Sequence, residues 1–200
     1  MQITDAAFDI RVYKKELRDK FKLYRRELDE HKKDEFDEKI FRKFMSLESY
    51  KRCERLLVYV STDIEVDTMR IIGAALEDGK TVAVPRCIDG TRDMDFYIIE
   101  SDKQLEPGSF GVLEPNPSIC RKLDDFSNAV CIVPALAYDM EGYRLGYGKG
   151  YYDRFLSAHG TLFNIGIEYC ACTVEKLVRG RYDISANLIV TEKYIKRIRN

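Results

Sequence analysis

The segment GYRLGYGKGYYDRF, which begins at position 142, has the residue types of a loop that binds an anion. Gly146, Gly148 and Gly150 alternate with larger residues, so the backbone can take positive φ and approach a ligand with no Cβ in the way. Successive N–H groups of such a loop can converge on a phosphate, and a helix that follows adds partial positive charge. Arg144 and Lys149 carry the charges that a polyphosphate needs, so we take them as the candidate catalytic cations.

Two familiar phosphate-binding templates do not describe this segment. A Walker A loop reads G-x-x-x-x-G-K-S/T, but a glycine follows Lys149, and Tyr143 stands where the first glycine should be. The dinucleotide fingerprint G-x-G-x-x-G fails at Tyr151. Asp153 has the chemistry to hold a Mg²⁺ that bridges phosphates, because magnesium takes one or two carboxylates plus substrate oxygens. The alternative is a glycine-rich turn in which Asp153 pairs with an arginine of the next helix.

Length and composition are those of a single globular domain. The chain has 200 residues, of which 45% are hydrophobic and 34% charged. Its 33 basic and 34 acidic residues give a net charge of -1, which offers no global reason to expect nucleic acid as a partner. No apolar run approaches the roughly 20 residues of a membrane span. We therefore expect one domain over residues 1–200, a monomer or weak dimer in the cytosol, with no membrane partner.

The six cysteines support a reducing compartment. They include one C-x-C pair but lack the paired C-x-x-C spacing of a zinc site. We expect most of them to be small buried hydrophobic residues. They are Cys53, Cys87, Cys120, Cys131, Cys170 and Cys172.

Hydrophobic periodicity changes along the chain from helical to strand-like. It predicts helices over residues 6–30, 34–47, 67–80 and 151–160. Apolar runs typical of strands lie at 55–62, 81–87, 94–100, 128–139, 162–169 and 187–192, separated at 106–118 by a proline- and glycine-rich connection. The helix over 67–80 has Asp67 or Thr68 as its cap and Gly79 as its end. This alternation predicts an α/β fold: a three-layer α/β/α, Rossmann-like domain with a mostly parallel sheet flanked by helices.

A basic stripe lies beside the apolar face of the first predicted helix. It consists of Lys14, Arg18, Lys22 and Arg25. A solvated charged face is the ordinary interpretation of such a stripe.

The longer string VPALAYDMEGYRLGYGKGYYDRFL resembles the signature of the 5-formyltetrahydrofolate cyclo-ligase family, also called 5,10-methenyltetrahydrofolate synthetases. KKELR, YVSTDIEVDT, VPR and the ending YDI…IVTE follow in the family's order and spacing. The resemblance implies that MgATP drives conversion of 5-formyltetrahydrofolate, which can be polyglutamylated, to 5,10-methenyltetrahydrofolate, with release of ADP and phosphate. In that reaction the γ-phosphoryl group is transferred to the formyl oxygen, and N10 of the folate then attacks the activated carbon.

The resemblance also implies three groups of site residues. The ATP-binding group comprises Lys14, Lys15, Glu16, Leu17 and Arg18 in the first helix, and Arg144, Leu145, Gly146, Tyr147, Gly148, Lys149, Gly150, Tyr151 and Tyr152 in the loop. The folate-binding group comprises Val60, Glu65 and Phe110, with an anchor of its own loop as the equal alternative for Phe110. The magnesium ligands are Asp153 and Asp183. This assignment replaces the solvated-face interpretation for positions 14–18. Asn187 stands where an aspartate is common in the family.

Two other classes of function remain as alternatives. A folate- or nucleotide-binding regulator would keep the fold without the chemistry, but the retained basic, glycine and acidic positions argue against it. A protein that contacts RNA or DNA through its basic helix is disfavoured by the near-neutral charge and the absence of interleaved aromatic and basic patches.

Overall fold

The structure, a computed structural model, describes residues 9–198, with the side chain of Phe110 outside that description. Within this range the α-helices are α1 Ile10–Glu27, α2 Glu30–Ser46, α3 Glu48–Arg52, α4 Met69–Glu77 and α5 Tyr151–Ala158. The strands are β1 Arg55–Leu57, β2 Thr81–Cys87, β3 Met94–Ile99, β4 Leu105–Pro107, β5 Leu113–Pro115, β6 Arg121–Lys122, β7 Ala129–Val133, β8 Ala137–Asp139, β9 Arg144–Leu145, β10 Phe163–Ile167, β11 Thr173–Val174, β12 Leu188–Val190 and β13 Ile195–Arg197.

The main sheet has the strand order β13-β12-β10-β7-β1-β2-β3-β6. Its five central strands, β12 to β2, are parallel to their neighbours, whereas β13, β3 and β6 pair antiparallel at the two edges. Every residue of β7 is buried, as expected of a strand covered on both faces. The α/β fold class with a mostly parallel sheet is therefore confirmed. The single domain over residues 1–200 stays a prediction.

The helix boundaries follow from their caps. The first predicted helix ends early and the second begins at Glu30, because Asp29 Oδ1 accepts a hydrogen bond from Lys32 N at 3.1 Å. At α4 the capping side chain is Asp67, whose Oδ1 accepts from Met69 N at 2.9 Å. Gly79, with φ of 73°, ends that helix as predicted. Residues 6–8 of the first predicted helix lie outside the described range.

Two predictions about connections are wrong. The run 128–139 is two strands, because Pro134 has no N–H and the chain leaves the main sheet there for the small sheet β11-β8-β9. The connection 106–118 contains most of the hairpin β4-β5, with Glu106 paired to Glu114. The edge strand β13, close to the end of the described range, had no counterpart among the predicted strands.

Cysteine burial agrees with the sequence. All six thiols are free, and four of them are buried, so the prediction that most are buried is confirmed. Across residues 9–198, no helix combines the length and apolar character that a bilayer crossing requires.

Candidate active site

A cleft of about 540 Å³ opens at the carboxyl ends of β1, β2 and β7, the edge of a parallel sheet where ligands bind in α/β proteins. The glycine-rich loop, α1 and a set of charged side chains contribute to its lining. Apolar residues line it as well: Val60, Pro85, Met94, Val112, Leu113 and Pro134. A ligand that carries both charged groups and a flat apolar group would match this lining.

The glycine-rich loop is fixed against α1. Arg18 Nε donates a hydrogen bond to Gly146 O at 2.9 Å. Gly148 has φ of 96°, a conformation that favours glycine, and a Cβ there would lie 3.2 Å from Nη2 at the end of the Arg18 side chain. Gly150, with φ of 78°, precedes the first residue of α5. The loop therefore ends at a helix N-terminus, which carries partial positive charge.

Arg144 and Asp153 form an ion pair behind the loop. Arg144 Nη1 also donates to Ile184 O at 2.9 Å, and Ile184 N donates to Asp153 Oδ1 at 3.3 Å. Burial raises the pKa of Asp153 although the charge of Arg144 opposes the change. An arginine does pair with Asp153, but it is the first residue of the loop instead of a residue of the next helix.

Asp183 faces α1 and directly precedes Ile184, whose N–H binds Asp153. Lys14 Nζ is 3.2 Å from Asp183 Oδ2, and Gly180 N donates to the same oxygen at 2.8 Å. The charge of Asp183 contributes to the raised pKa of Asp153, so the two carboxylates lie close enough to sense each other.

The donor chemistry of these two carboxylates fits magnesium. Both side chains retain about a quarter of their exposure, 27% for Asp153 and 26% for Asp183. Two carboxylates leave the other coordination positions to phosphate and water oxygens, as Mg²⁺ prefers. Within the described part of the chain, no group of three or more His, Cys, Asp or Glu side chains forms a metal cage of its own.

Glu65 also lines the cleft, with only 5% of its surface exposed. Its Oε2 accepts hydrogen bonds from Thr62 N and Thr62 Oγ1, both at 2.9 Å, and its Oε1 accepts from Tyr147 Oη at 2.7 Å. Burial, together with the negative charge of Glu65, raises the pKa of Tyr147, so the hydroxyl remains a donor. The glycine-rich loop thus contacts the side chain that the sequence assigns to folate.

Most of the predicted site residues line this cleft. They are Lys14, Arg18, Val60, Glu65, Asp153 and Asp183, with the whole loop from Arg144 to Tyr152. Lys15 and Glu16 are exposed on α1, and Leu17 packs against the core, so none of these three belongs to the lining. Their assignment to ATP binding stays a prediction. Phe110 cannot be compared, since its side chain lies outside the described residues.

The solvated-face interpretation of the basic stripe is wrong for Arg25. Its Nη2 donates to both oxygens of Glu168, at 2.7 and 2.6 Å, and to Ala135 O at 2.6 Å, with the ion pair almost fully buried. Sequence reasoning missed Glu168 as a partner. The position of Arg25, seven residues after Arg18 and so on the same helix face, was the available signal.

Other residues of this region were also missed. Tyr59, Thr62, Cys87 and Glu114 line the cleft without having been predicted. Asn187 does not line it; its Oδ1 accepts from Asn164 N at 2.8 Å and so joins the start of β12 to β10.

A model of the 5-formyltetrahydrofolate cyclo-ligase family matches residues 10–186. The chain belongs to the 5-formyltetrahydrofolate cyclo-ligase family. A relative in Schizosaccharomyces pombe, named a probable 5-formyltetrahydrofolate cyclo-ligase, is 31% identical over 179 residues, which are 80% of this chain and 85% of the relative. The Escherichia coli cyclo-ligase is 27% identical over 170 residues, or 84% and 93% of the two chains.

Solved structures of the family agree with this fold. The NMR structure of Aquifex aeolicus 5,10-methenyltetrahydrofolate synthetase superposes with a TM-score of 0.81 at 31% identity, covering 94% of this chain and 93% of that one. The synthetase from Mycoplasma pneumoniae, at 22% identity and a TM-score of 0.72 over 90% and 98% of the chains, supports the fold alone. Family membership confirms the resemblance seen in the sequence and the classification of the protein as a ligase-type enzyme.

Proposed function

We propose that this cleft converts 5-formyltetrahydrofolate to 5,10-methenyltetrahydrofolate with MgATP, releasing ADP and phosphate. The observation that carries the proposal is one cleft that combines a cationic, glycine-rich loop with apolar residues and a buried carboxylate. The cationic loop suits a polyphosphate, and the apolar residues with the carboxylate suit a pterin ring. Membership in the cyclo-ligase family supplies the reaction that joins the two ligands.

The nucleotide's phosphates would bind at the glycine-rich loop. Lys14, Arg18, Arg144 and Lys149 all line the cleft, so four cations are available to the phosphate charge. Asp153 and Asp183 would hold the magnesium ion, which neutralises phosphate charge when it is bound. The basic side chains would then orient the γ-phosphoryl group toward the middle of the cleft.

The pterin would bind against the apolar residues of the lining, with its donor edge on Glu65. A carboxylate accepts about four hydrogen bonds, and Thr62 and Tyr147 already supply three of them to Glu65. The amino group and ring N–H of a pterin donate two. Tyr147 is the partner that can move, because it lies between Gly146 and Gly148, whereas Thr62 belongs to the same turn as Glu65.

The chemistry follows from the two ligands, the nucleotide and the folate, that the cleft would hold. A formamide oxygen is a poor leaving group and N10 is a weak nucleophile, so direct ring closure is slow. Transfer of the γ-phosphoryl group to the formyl oxygen creates a good leaving group, N10 attacks the formyl carbon, and phosphate departs. The protein's contribution is chiefly positioning and charge stabilisation, as in other phosphoryl transfers.

We extend the proposal to the state of the protein in the cell. The free thiols favour a reducing compartment and so support the cytosol. The near-neutral charge supports a small-molecule substrate instead of nucleic acid. We also propose that the protein is a single domain and that it is a monomer or a weak dimer.

The test is the absorbance of the methenyl bridge in a mixture of protein, 5-formyltetrahydrofolate and MgATP. The proposal predicts a rise in absorbance that needs both ATP and magnesium. Asp153→Asn should abolish this rise at the magnesium concentration that saturates the wild type. Asp93→Asn is the matched control, because Asp93 is an exposed aspartate that pairs with Arg154, the neighbour of Asp153 on α5, and does not line the cleft. Folate binding without any absorbance rise would instead make the protein a binding-only regulator.

A further inference from the structure

Four carboxylates line the cleft, and three of them already have strong partners. Asp153 pairs with Arg144, Asp183 pairs with Lys14, and Glu65 accepts three hydrogen bonds. Glu114 is the fourth. Its neighbour Cys87 donates to it twice, through a long hydrogen bond of 3.2 Å from Cys87 N to Glu114 Oε1 and through the thiol. Among residues 9–198, no lysine or arginine forms an ion pair with it.

The fold leaves space for this carboxylate in a buried position. Glu114 lies on β5, the second strand of the hairpin, and only 6% of its surface is exposed. Gly108 makes room for it, since a Cβ there would lie 2.4 Å from Glu114 Cγ and 2.6 Å from Oε2. Met94, Val112 and Leu113 are its apolar companions in the cleft lining. A buried carboxylate without a cation is costly, so such a group has spare capacity for a donor that a ligand brings.

The thiol beside Glu114 does not have that capacity. Burial raises the pKa of Cys87 to about 11, and the negative charge of Glu114 adds to the effect. Cys87 therefore stays protonated near neutral pH and cannot take up a proton itself. Of the side chains that face each other here, Glu114 is the one with free acceptor positions.

We propose that Glu114 is a catalytic residue that accepts the N10 proton during ring closure. This proposal rests on the proposed function, because it needs the phosphorylated formyl group in the cleft. N10 carries one hydrogen in 5-formyltetrahydrofolate and none in the methenyl product, so the reaction must remove it.

In ring closure, each bond that forms is matched by a bond that breaks. The lone pair of N10 forms the bond to the formyl carbon, and the N10–H bond breaks as its proton passes to a Glu114 carboxylate oxygen. The bond between the formyl carbon and the phosphorylated oxygen then breaks, and inorganic phosphate leaves with that electron pair. Phosphoryl transfer from ATP comes earlier and does not involve Glu114.

This order gives the proposal a specific test, single-turnover rapid quench of Glu114→Gln with 5-formyltetrahydrofolate and MgATP. ADP formation reports phosphoryl transfer, and methenyl absorbance reports ring closure. We expect ADP to form within about twofold of the wild-type rate, while ring closure slows roughly 100-fold, the usual contribution of a general base. Glu106→Gln is the matched control, because Glu106 pairs with Glu114 across the hairpin but does not line the cleft.

Each outcome supports or overturns the role of Glu114 in ring closure. Equal slowing of both steps, or no slowing of either, would overturn the role of Glu114. If Glu114→Gln does not fold, judged by circular dichroism, Glu114→Asp takes its place, since it keeps a carboxylate one methylene further back and should slow ring closure alone by about tenfold. Wild-type protein that forms neither ADP nor the methenyl product would refute the proposed function itself, which is a distinguishable result.

Discussion

The buried pair between Arg25 and Glu168 is expected to hold α1 in place over the cleft. Arg25→Met keeps the length and apolar stem of the side chain but removes three hydrogen bonds, two to Glu168 and one to Ala135 O. The side chains of the pair are 2% and 0% exposed, so no water replaces the lost partner. Breaking a buried pair from one side costs about 3–5 kcal/mol of unfolding free energy, because a charge is left buried and unpaired.

The pH dependence follows from the pKa of Glu168. Burial raises this pKa from 4.5 to about 7, although the charge of Arg25 opposes the change. Between these two values the folded state binds more protons than the unfolded state. The stabilising contribution is therefore complete below pH 4.5 and is lost as pH rises through about 7. At roughly 1.4 kcal/mol per pKa unit, the whole change amounts to about 3 kcal/mol. Glu168→Gln should abolish this component.

Urea unfolding at pH 5.5 and at pH 8 measures both effects, because proton linkage makes the free energy of unfolding differ between these two pH values. Arg25→Met should lose about 3–5 kcal/mol at the higher pH and roughly half of that at the lower pH, where Glu168 takes up a proton. Arg26→Met, at the exposed neighbouring position, should lose less than about 0.5 kcal/mol. A loss below about 1 kcal/mol at both pH values, within the range of exposed ion pairs, would refute the reasoning.

Two further predictions concern the loop. Tyr147→Phe removes one of the three hydrogen bonds donated to Glu65. Calorimetry should therefore show that 5-formyltetrahydrofolate binds several-fold more tightly, because an acceptor position on Glu65 becomes free. Weaker binding would mean that the tyrosine assists folate binding instead of competing with it. Gly148→Ala forces a side chain into positive φ next to Arg18 and should cost about 1–2 kcal/mol in thermal unfolding. Gly146→Ala, where a Cβ meets nothing within 4 Å, should be nearly neutral, and equal losses would contradict the strain argument.

The alternation of apolar runs and helical patterns was sufficient to predict the α/β fold. It could not predict strand order, because nothing in a local pattern says that β1 lies between β2 and β7. Nor could it predict the break at Pro134, where an apolar run continues in sequence while the chain changes sheet. Hydrogen bonding of the backbone, not hydrophobicity, decides that position.

The candidate site was predictable where neighbouring residues form a motif. The loop and Asp153 are close in sequence, and physical reasoning about glycines and charges pointed to an anion there. Arg25 and Glu168 are 143 residues apart, so their pairing follows only from the folded chain. Glu114 was missed for a similar reason, because its burial depends on a hairpin and on the missing Cβ of Gly108.

The most direct test of the central claim follows the formyl oxygen itself. 5-Formyltetrahydrofolate labelled with heavy oxygen at the formyl group would be turned over with unlabelled MgATP in unlabelled water, and the released phosphate analysed by mass spectrometry. Phosphorylation of the formyl oxygen in this cleft predicts that each phosphate released carries one labelled oxygen. Label found in water, with unlabelled phosphate, would contradict the account.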